Sequence, residues 1–159
     1  MAGLLAGWIG VEVAKRVIGL RRSTGGAFAL ALAAGEAVGR VGCHFNECCY
    51  GREWGGAVAV VQHGAARFPV QIASAIYASA MFFALWSMRR NLEGAALFRL
   101  YIVLFAAGRF CLEFLHGASP TLGPLTVVQW VCLEVLASVV VIAFVLRAIQ
   151  KRQEAREIA

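Results

Sequence analysis

The chain has 159 residues, of which 60% are hydrophobic, and its mean hydropathy is +0.72. A soluble domain of this size is nearer half apolar, so the composition excludes an ordinary soluble protein and leaves no room for a separate soluble domain. The formal net charge of +6 is better explained by membrane topology than by nucleic-acid binding, because the basic residues cluster beside apolar stretches.

Five apolar segments follow one another along the chain, and each is predicted to be a membrane-spanning helix. In chain order they are residues 1–20, 26–41, 70–88, 95–115 and 124–146. The first two are the least regular, since the first ends in charged residues and the second is rich in Ala and Gly. The prediction is an all-α, polytopic membrane helix bundle. Its single transmembrane domain covers residues 1–146, with a loop at 42–69 and a basic tail at 147–159.

Basic residues predict the orientation of this bundle. Lys and Arg cluster after the first, third and fifth segments, whereas residues 117–124 contain neither. We therefore expect the N-terminus and the 42–69 loop outside, and the C-terminus in the cytoplasm with its basic tail near anionic lipid headgroups. No basic region precedes the first segment, so we expect either a missing upstream part or insertion assisted by later segments.

Two pairs of opposite charges fall inside the predicted spans. Glu36 and Arg40 are four residues apart, and Arg109 and Glu113 repeat that spacing in reverse order. Inserting an ionised group near the centre of a membrane-spanning helix costs roughly 2.5–3.5 kcal/mol. We therefore expect the pairs to have a structural or functional role that offsets this cost. In one interpretation they are ion pairs that hold helices together. In the other, the arginines bind a phosphate in a polar cavity open to the outer leaflet, since guanidinium groups donate paired hydrogen bonds to phosphate oxygens.

Polar and small residues suggest where this cavity lies. A helical rise of about 1.5 Å per residue puts both charged pairs in the outer half of the membrane. Gln71 and Gln129, which lie near the starts of the third and fifth spans, fall at the same level. Gly35 and Gly39 have the small-xxx-small spacing that permits close helix approach. We therefore expect the second helix to be central and tightly packed at these two glycines.

Three of the five cysteines, Cys43, Cys48 and Cys49, lie within seven residues. The favoured interpretation is a disulfide from Cys43 to Cys48 or Cys49, in an oxidising compartment. A reactive thiol beside Arg40 is a second interpretation. A metal site would need His44 and another histidine, and the spacing fits no standard zinc pattern. No metal and no cofactor are therefore predicted.

Four short motifs run along nearly the whole chain in order. They are GRVGCHFNECCYG at residues 39–51, RFPVQ at 67–71, GRFCLEF at 108–114 and GPLTVVQ at 123–129. Their order and spacing resemble the motifs of the prolipoprotein diacylglyceryl transferases. The resemblance implies a multi-pass transferase of the bacterial inner membrane, with its active site facing the outer leaflet.

The resemblance also implies a reaction. Such enzymes transfer the diacylglyceryl group of phosphatidylglycerol to the thiol of a lipobox cysteine in a precursor protein, and glycerol phosphate leaves. By this resemblance Arg40 and Arg109 bind the phosphate and stabilise the charge of the leaving group. The remaining substrate-binding residues are predicted to be Glu36, Asn46, Gly51, Gln71, Glu113 and Gln129.

One family feature has no counterpart in the sequence. The family's His-Gly-Gly motif would fall at residues 1–4, which read MAGL. We therefore expect a short, divergent or N-terminally incomplete member, in which Cys43 or His44 performs part of the histidine's catalytic work. Two other functions stay open: a catalytically inactive lipid-binding or assembly protein, and a membrane thiol oxidoreductase that uses Cys43, Cys48 and Cys49.

Overall fold

The computed structural model describes residues 10–11, 13–19, 23–117 and 119–158. Four long helices dominate these residues: α1 (Gly25–Phe45), α2 (Val70–Met88), α3 (Gly94–Glu113) and α4 (Val127–Ile158). Two antiparallel hairpins connect them: β1 (Val60–Gln62) with β2 (Ala65–Arg67), and β3 (Thr121–Leu122) with β4 (Leu125–Thr126). The prediction of an all-α membrane bundle is confirmed.

All four helices are long and apolar enough to cross a membrane. Helix α2 has the predicted bounds, and α1 and α3 begin and end within a few residues of theirs. The apolar part of α4 covers Val127–Ile149, and the helix continues into the basic tail. The first predicted span, residues 1–20, lies mostly outside the described residues, although residues 13–17 are helical.

Helix α1 packs against both α2 and α3 through its small residues. Ala29 and Ala33 are fully buried in the apolar core. The closest approach is at Gly25, where an added Cβ would lie 2.7 Å from the carbonyl oxygen of Gly94. This stripe of small residues therefore lets α1 occupy the position between its neighbours.

The expected close packing at Gly35 and Gly39 is wrong for the described part of the chain. An added Cβ at either glycine meets no described atom within 4 Å. The physical reason is that this part of α1 buries the face that carries Ala29 and Ala33, whereas Gly35 and Gly39 lie on an exposed face.

Helices α2 and α3 approach closely beside the charged pairs. A Cβ added at Gly108 would collide with the ring of Tyr77. The Tyr77 hydroxyl crosses to α3 and donates a hydrogen bond of 2.6 Å to the carbonyl oxygen of Leu104. Because Gly108 leaves room for this ring, Tyr77 stands between the two helices at the level of Arg109.

The connections at this end of the bundle bind one another through backbone hydrogen bonds. The Arg52 N–H donates to the Leu115 carbonyl at 2.9 Å, and the Gly117 N–H donates to the Tyr50 carbonyl at 3.2 Å. Gly51 and His116 form an isolated antiparallel bridge between these bonds. The segment that follows α1 is thereby fixed to the C-terminal end of α3.

Candidate functional site

Both arginines and one of the two glutamates, Glu36, line one cavity. Its wall includes Glu36 and Arg40 from α1 and Arg109 from α3. Four further residues complete the lining: Ser74, Tyr77, Phe105 and Leu112. Three helices therefore bring together two arginines that are far apart in sequence, as the interpretation of a shared polar cavity requires.

The first pair is loosely held. An Arg40 Nη2 atom lies 3.5 Å from Glu36 Oε1, at the limit of a hydrogen bond. The two side chains are 19% and 20% exposed. A long contact between half-buried groups constrains Arg40 weakly, so its guanidinium group is able to exchange this partner for another anion.

The second pair belongs to a larger network. An Arg109 Nη2 atom lies 2.8 Å from Glu113 Oε2, and the Glu113 side chain is completely buried. The other carboxylate oxygen of Glu113 accepts a hydrogen bond of 3.2 Å from the Thr126 hydroxyl. One oxygen of the buried carboxylate therefore forms an ion pair with Arg109 and the other accepts a hydrogen bond, so that Glu113 links Arg109 to the start of α4.

Thr126 and Gln129 form a reciprocal capping box at the start of α4. The Gln129 N–H donates to Thr126 Oγ1 at 3.2 Å, and the Thr126 N–H donates to Gln129 Oε1 at 2.9 Å. This arrangement satisfies donors that the first turn of a helix leaves free. Gln129 also donates to the Phe110 carbonyl at 3.4 Å. The structure therefore gives this predicted substrate-binding residue helix-capping contacts.

His116 lies against Arg109 just after the end of α3. Its Nε2 and Nδ1 atoms are 3.2 and 3.3 Å from Arg109 Nη1, and Nδ1 is also 3.2 Å from the Leu112 carbonyl oxygen. Burial first, and the Arg109 charge second, lower the pKa of His116. A neutral ring protonated on Nδ1 fits these contacts, because Nδ1–H then donates to Leu112 and Nε2 accepts from Arg109.

The cavity beside the two arginines holds little free space. The space open to the centre of a water-sized sphere is about 10 Å³, which suits a single water molecule. A phosphate group needs more room than this. Binding of a phosphate would therefore require a lining side chain to move, and the long contact with Glu36 holds Arg40 only weakly.

An apolar groove adjoins the charged cavity. It runs between α3 and α4 and offers about 190 Å³. Six of its lining residues are apolar side chains of α3 or α4: Phe105, Ala106, Val127, Val128, Val131 and Val135. Phe105 and Arg109 line both this groove and the charged cavity. A guanidinium group therefore stands where a polar and an apolar space meet.

Four of the predicted site residues lie in the last turn of α1 or in the segment that follows it, outside the cavity lining. Asn46 is the residue that ends α1, and the backbone carbonyl of His44 accepts a 3.5 Å hydrogen bond from Gln62. Gly51 sits in the bridge to His116, where an added Cβ would collide with the Phe68 carbonyl oxygen. Cys43 lies next to two other thiols. These residues shape the loop beside the cavity.

Gln71 is also outside the cavity lining. Its buried side chain donates to the Cys48 carbonyl at 3.0 Å and to Gln62 Oε1 at 3.1 Å. These bonds hold the loop after α1 against the start of α2. The structure therefore gives Gln71 a positioning contact.

Sequence reasoning did not assign two residues to the site: Tyr77, which lines the cavity, and His116, which contacts Arg109 from outside the lining. Tyr77 belongs to none of the four sequence motifs, and its position becomes apparent only from the contact of its ring with Gly108. His116 continues the helical stripe of Phe105, Arg109 and Glu113, which was the available signal for its position.

A roomier cavity lies away from these groups. It offers about 360 Å³ and is lined mainly by the first turns of α1 and α3, including Phe28, Phe98 and Arg99. Neither of the two charged pairs lines it. Volume alone therefore does not identify the site.

Comparison with known proteins identifies one family whose sequence model matches this chain. The sequence model of the prolipoprotein diacylglyceryl transferases matches residues 1–145. Phosphatidylglycerol–prolipoprotein diacylglyceryl transferase 2 of Clostridium perfringens is 30% identical over 114 residues, which cover 66% of this chain and 44% of the relative. The corresponding transferase of Clostridium tetani is 31% identical over 94 residues, covering 54% and 38%.

A third relative extends the agreement to another genus. The phosphatidylglycerol–prolipoprotein diacylglyceryl transferase of Dehalococcoides mccartyi is 34% identical over 91 residues, covering 52% of this chain and 35% of the relative. The matched region thus spans less than half the length of each of these relatives. No solved structure matches the chain significantly.

Proposed function

This chain belongs to the prolipoprotein diacylglyceryl transferase family, and on that premise we propose that its charged cavity binds the phosphate of phosphatidylglycerol. The reaction is transfer of the diacylglyceryl group to a lipoprotein cysteine thiol. The setting is the bacterial inner membrane, with the cavity toward the outer leaflet, because the basic clusters beside the spans favour that orientation.

The observation that carries this proposal is the double position of Arg109. This residue lines both the charged cavity and the apolar groove between α3 and α4. A phospholipid has the same division, since its anionic phosphate adjoins two acyl chains. The arrangement therefore favours a phospholipid over a free anion, which would gain nothing from the groove.

Binding requires Arg40 to release Glu36. The contact between them is 3.5 Å long and half-buried. An incoming phosphate should therefore interact with Arg40 at least as strongly as the Glu36 carboxylate does. Arg109 already stands in place, because the buried Glu113 holds it at 2.8 Å. We assign Arg109 as the fixed and Arg40 as the mobile phosphate-binding arginine.

In the transfer step the sulfur of the acceptor thiol bonds to the glyceryl carbon while the bond from that carbon to the phosphate oxygen breaks. The thiol proton goes to a base, and glycerol phosphate leaves with both electrons of the broken bond. Because negative charge grows on the departing phosphate, two guanidinium groups beside it stabilise the transition state more than the ground state.

We propose His116 as the base for this step. Its lowered pKa keeps the ring neutral near pH 7, and its Nε2 faces Arg109 at 3.2 Å. A phosphate oxygen that accepts from Arg109 Nη1 in place of His116 leaves Nε2 free to take the proton of the thiol. In the described part of the chain His116, unlike the sequence-based candidates Cys43 and His44, contacts Arg109 directly.

The direct test is a transfer assay in phosphatidylglycerol proteoliposomes that contain the full chain and a lipobox peptide. Mass spectrometry measures the thioether product. We expect Arg109→Gln and Arg40→Gln each to slow transfer by about 10²–10³-fold, the usual loss for one transition-state donor. His116→Gln should slow transfer while leaving phosphatidylglycerol binding intact. The matched control is Arg90→Gln, an exposed arginine at the far end of α2.

Three outcomes would contradict the proposal. Unchanged transfer by Arg109→Gln would remove the role of the cavity, and unchanged transfer by His116→Gln would remove the role of this histidine. Phosphatidylglycerol binding by the wild-type chain without any thioether product would instead favour the inactive lipid-binding protein.

A further inference from the structure

Cys43, Cys48 and Cys49 form a second cluster of chemically active side chains. Their three Sγ atoms all lie within 4.8 Å of one another, and all three thiols are free. In the part of the chain that the structure describes, no other group of three His, Cys, Asp or Glu side chains converges in this way. We propose that the cluster binds one soft d¹⁰ metal cation, Cu(I) or Zn(II).

The end of α1 brings the first two thiols together. The Cys48 N–H donates to the Cys43 carbonyl at 3.1 Å, and the Glu47 N–H donates to the His44 carbonyl at 3.2 Å. Glu47 has a φ of 49°. This is the Schellman arrangement, in which the side chains at the positions of Cys43 and Cys48 usually touch. Here both of those side chains carry sulfur.

A second left-handed residue adds the third thiol. Cys49 has a φ of 54°, an uncommon conformation for a residue with a β-carbon. Hydrogen bonds hold the loop backbone on both sides of the turn: Gln71 donates to the Cys48 carbonyl at 3.0 Å, and a His63 ring nitrogen lies 2.7 Å from the Glu47 carbonyl oxygen. The thiols therefore converge because the surrounding helices and hairpin fix the loop.

The spacing suits a metal with three sulfur ligands. Metal–sulfur bonds of about 2.3 Å put the sulfurs of such a site roughly 3.8–4.0 Å apart, so the observed cluster needs only a small contraction. A disulfide would draw two sulfurs to about 2.05 Å and leave the third without a partner. Three equivalent thiols at this spacing favour the metal over the disulfide that the sequence suggested.

The donor set selects the class of cation. Thiolates prefer Cu(I) and Zn(II) to hard cations. The nearby histidines have other contacts, since His63 meets the Glu47 carbonyl and His44 Nδ1 lies 3.5 Å from Gln62 Nε2. Three sulfur ligands suit three-coordinate Cu(I), whereas Zn(II) would need an external fourth ligand.

A cation at this position would stiffen the segment that leads to the proposed active site. The three cysteines stand just before Gly51, which forms the bridge to His116. The metal site itself does not depend on the transferase activity, because none of its ligands lines the cavity between the arginines.

Metal titration of the purified, reduced full chain in detergent tests this proposal. Zn(II) and Cu(I) are titrated separately under anaerobic conditions against chromophoric competitors, and Cd(II) reports thiolate binding by its charge-transfer absorbance. We expect one equivalent of Cu(I) or Zn(II) per chain. Single Cys→Ser changes at positions 43, 48 and 49 should weaken binding at least tenfold. The matched controls Cys111→Ser and Cys132→Ser should bind as the wild type does.

Alkylation of the wild-type chain avoids any dependence on how the variants fold. Bound metal should protect Cys43, Cys48 and Cys49 from iodoacetamide while the exposed Cys111 reacts at an unchanged rate. Non-saturable binding, or equal protection of Cys111, would overturn the proposal. So would a reduced chain that binds neither cation but forms a disulfide within the cluster on exposure to air.

Discussion

The two glutamate–arginine pairs share a spacing of four residues and differ in almost everything else. Glu36 and Arg40 are both about one fifth exposed and 3.5 Å apart. Arg109 and Glu113 are 2.8 Å apart, and Glu113 is fully buried. Spacing along a helix therefore determines which residues pair, while contacts with other helices determine how firmly each pair is held.

The order of the charges sharpens this contrast. Glutamate before arginine, as in α1, is the favourable order on a helix. In α3 the order is reversed and Glu113 is the last helical residue, where the helix dipole disfavours an anion by about 0.3–1 kcal/mol. The stronger pair therefore exists against the local preference, because Thr126 and Arg109 together satisfy the carboxylate.

Removing each arginine should separate the pairs most clearly. We expect Arg109→Met to lower the free energy of unfolding by about 3–5 kcal/mol, because a buried carboxylate loses its counterion. Arg40→Met, the matched variant, should cost about 0–1 kcal/mol. Unfolding by SDS in mixed micelles measures both. Equal losses would mean that the two pairs are energetically alike.

The contrast explains what sequence could predict. The bounds of α2 were predicted correctly because its apolar run is bracketed by Pro69 and by Arg89 and Arg90. The charged pairs could be predicted because residues four apart in one helix lie side by side, whatever the rest of the fold is. The environment of the buried Glu113 includes Thr126, the last residue of a hairpin, and nothing in the periodicity of α3 indicates that neighbour.

The short hairpins show a second limit. Neither was predicted, although the turns contain glycines with positive φ, 75° at Gly64 and 69° at Gly123. Strands of two or three residues are too short for alternation to stand out. These hairpins fix the positions of Gln62 and Thr126, so the hydrogen bonds around Gln71 and Glu113 were out of reach of sequence reasoning.

Thr126 tests the network that distinguishes the stronger pair. Thr126→Val removes both the cap of α4 and the hydrogen bond to Glu113, so we expect a loss of about 1–2 kcal/mol in unfolding free energy. The control is Thr121→Val, an exposed threonine that pairs with Thr126 in the same hairpin. A similar loss from both variants would assign the effect to the hairpin alone.

The stability of the folded chain should depend on pH through His116, which contacts Arg109 of the stronger pair. This effect should be smaller than that of Thr126→Val, because protonation of His116 weakens its contacts without removing the side chain. Burial and Arg109 lower the pKa of His116, so the unfolded chain takes up the proton first on acidification. Stability should therefore fall as the pH drops below about 6.5, the ordinary histidine value. His116→Gln should flatten this part of the curve of SDS midpoint against pH.

The control for this pH effect is His63→Gln, since His63 is exposed and belongs to the other hairpin. Its curve should follow that of the wild type. If His116→Gln kept the full acid-dependent loss, another group would be responsible, and the neutral ring assigned to His116 would have no support from stability.

The smallest effect on stability is expected at Glu36, the exchangeable partner of the weaker pair. Glu36→Gln should change the unfolding free energy by no more than about 1 kcal/mol. The matched change Glu53→Gln removes another long ion pair, the 3.7 Å contact with Arg67. The informative measurement for Glu36 is kinetic, because its carboxylate competes with the substrate phosphate for Arg40.

The two possible roles of Glu36 predict opposite changes in the KM for phosphatidylglycerol. If Glu36 must release Arg40 before a phosphate binds, Glu36→Gln should lower the KM for phosphatidylglycerol by about two- to fivefold, which corresponds to about 0.4–1 kcal/mol for a weak ion pair. If Glu36 instead holds Arg40 in its binding position, the same change should raise KM. A raised KM would make the weaker pair a preorganised one like Arg109–Glu113, and the distinction between a mobile and a fixed arginine would fail.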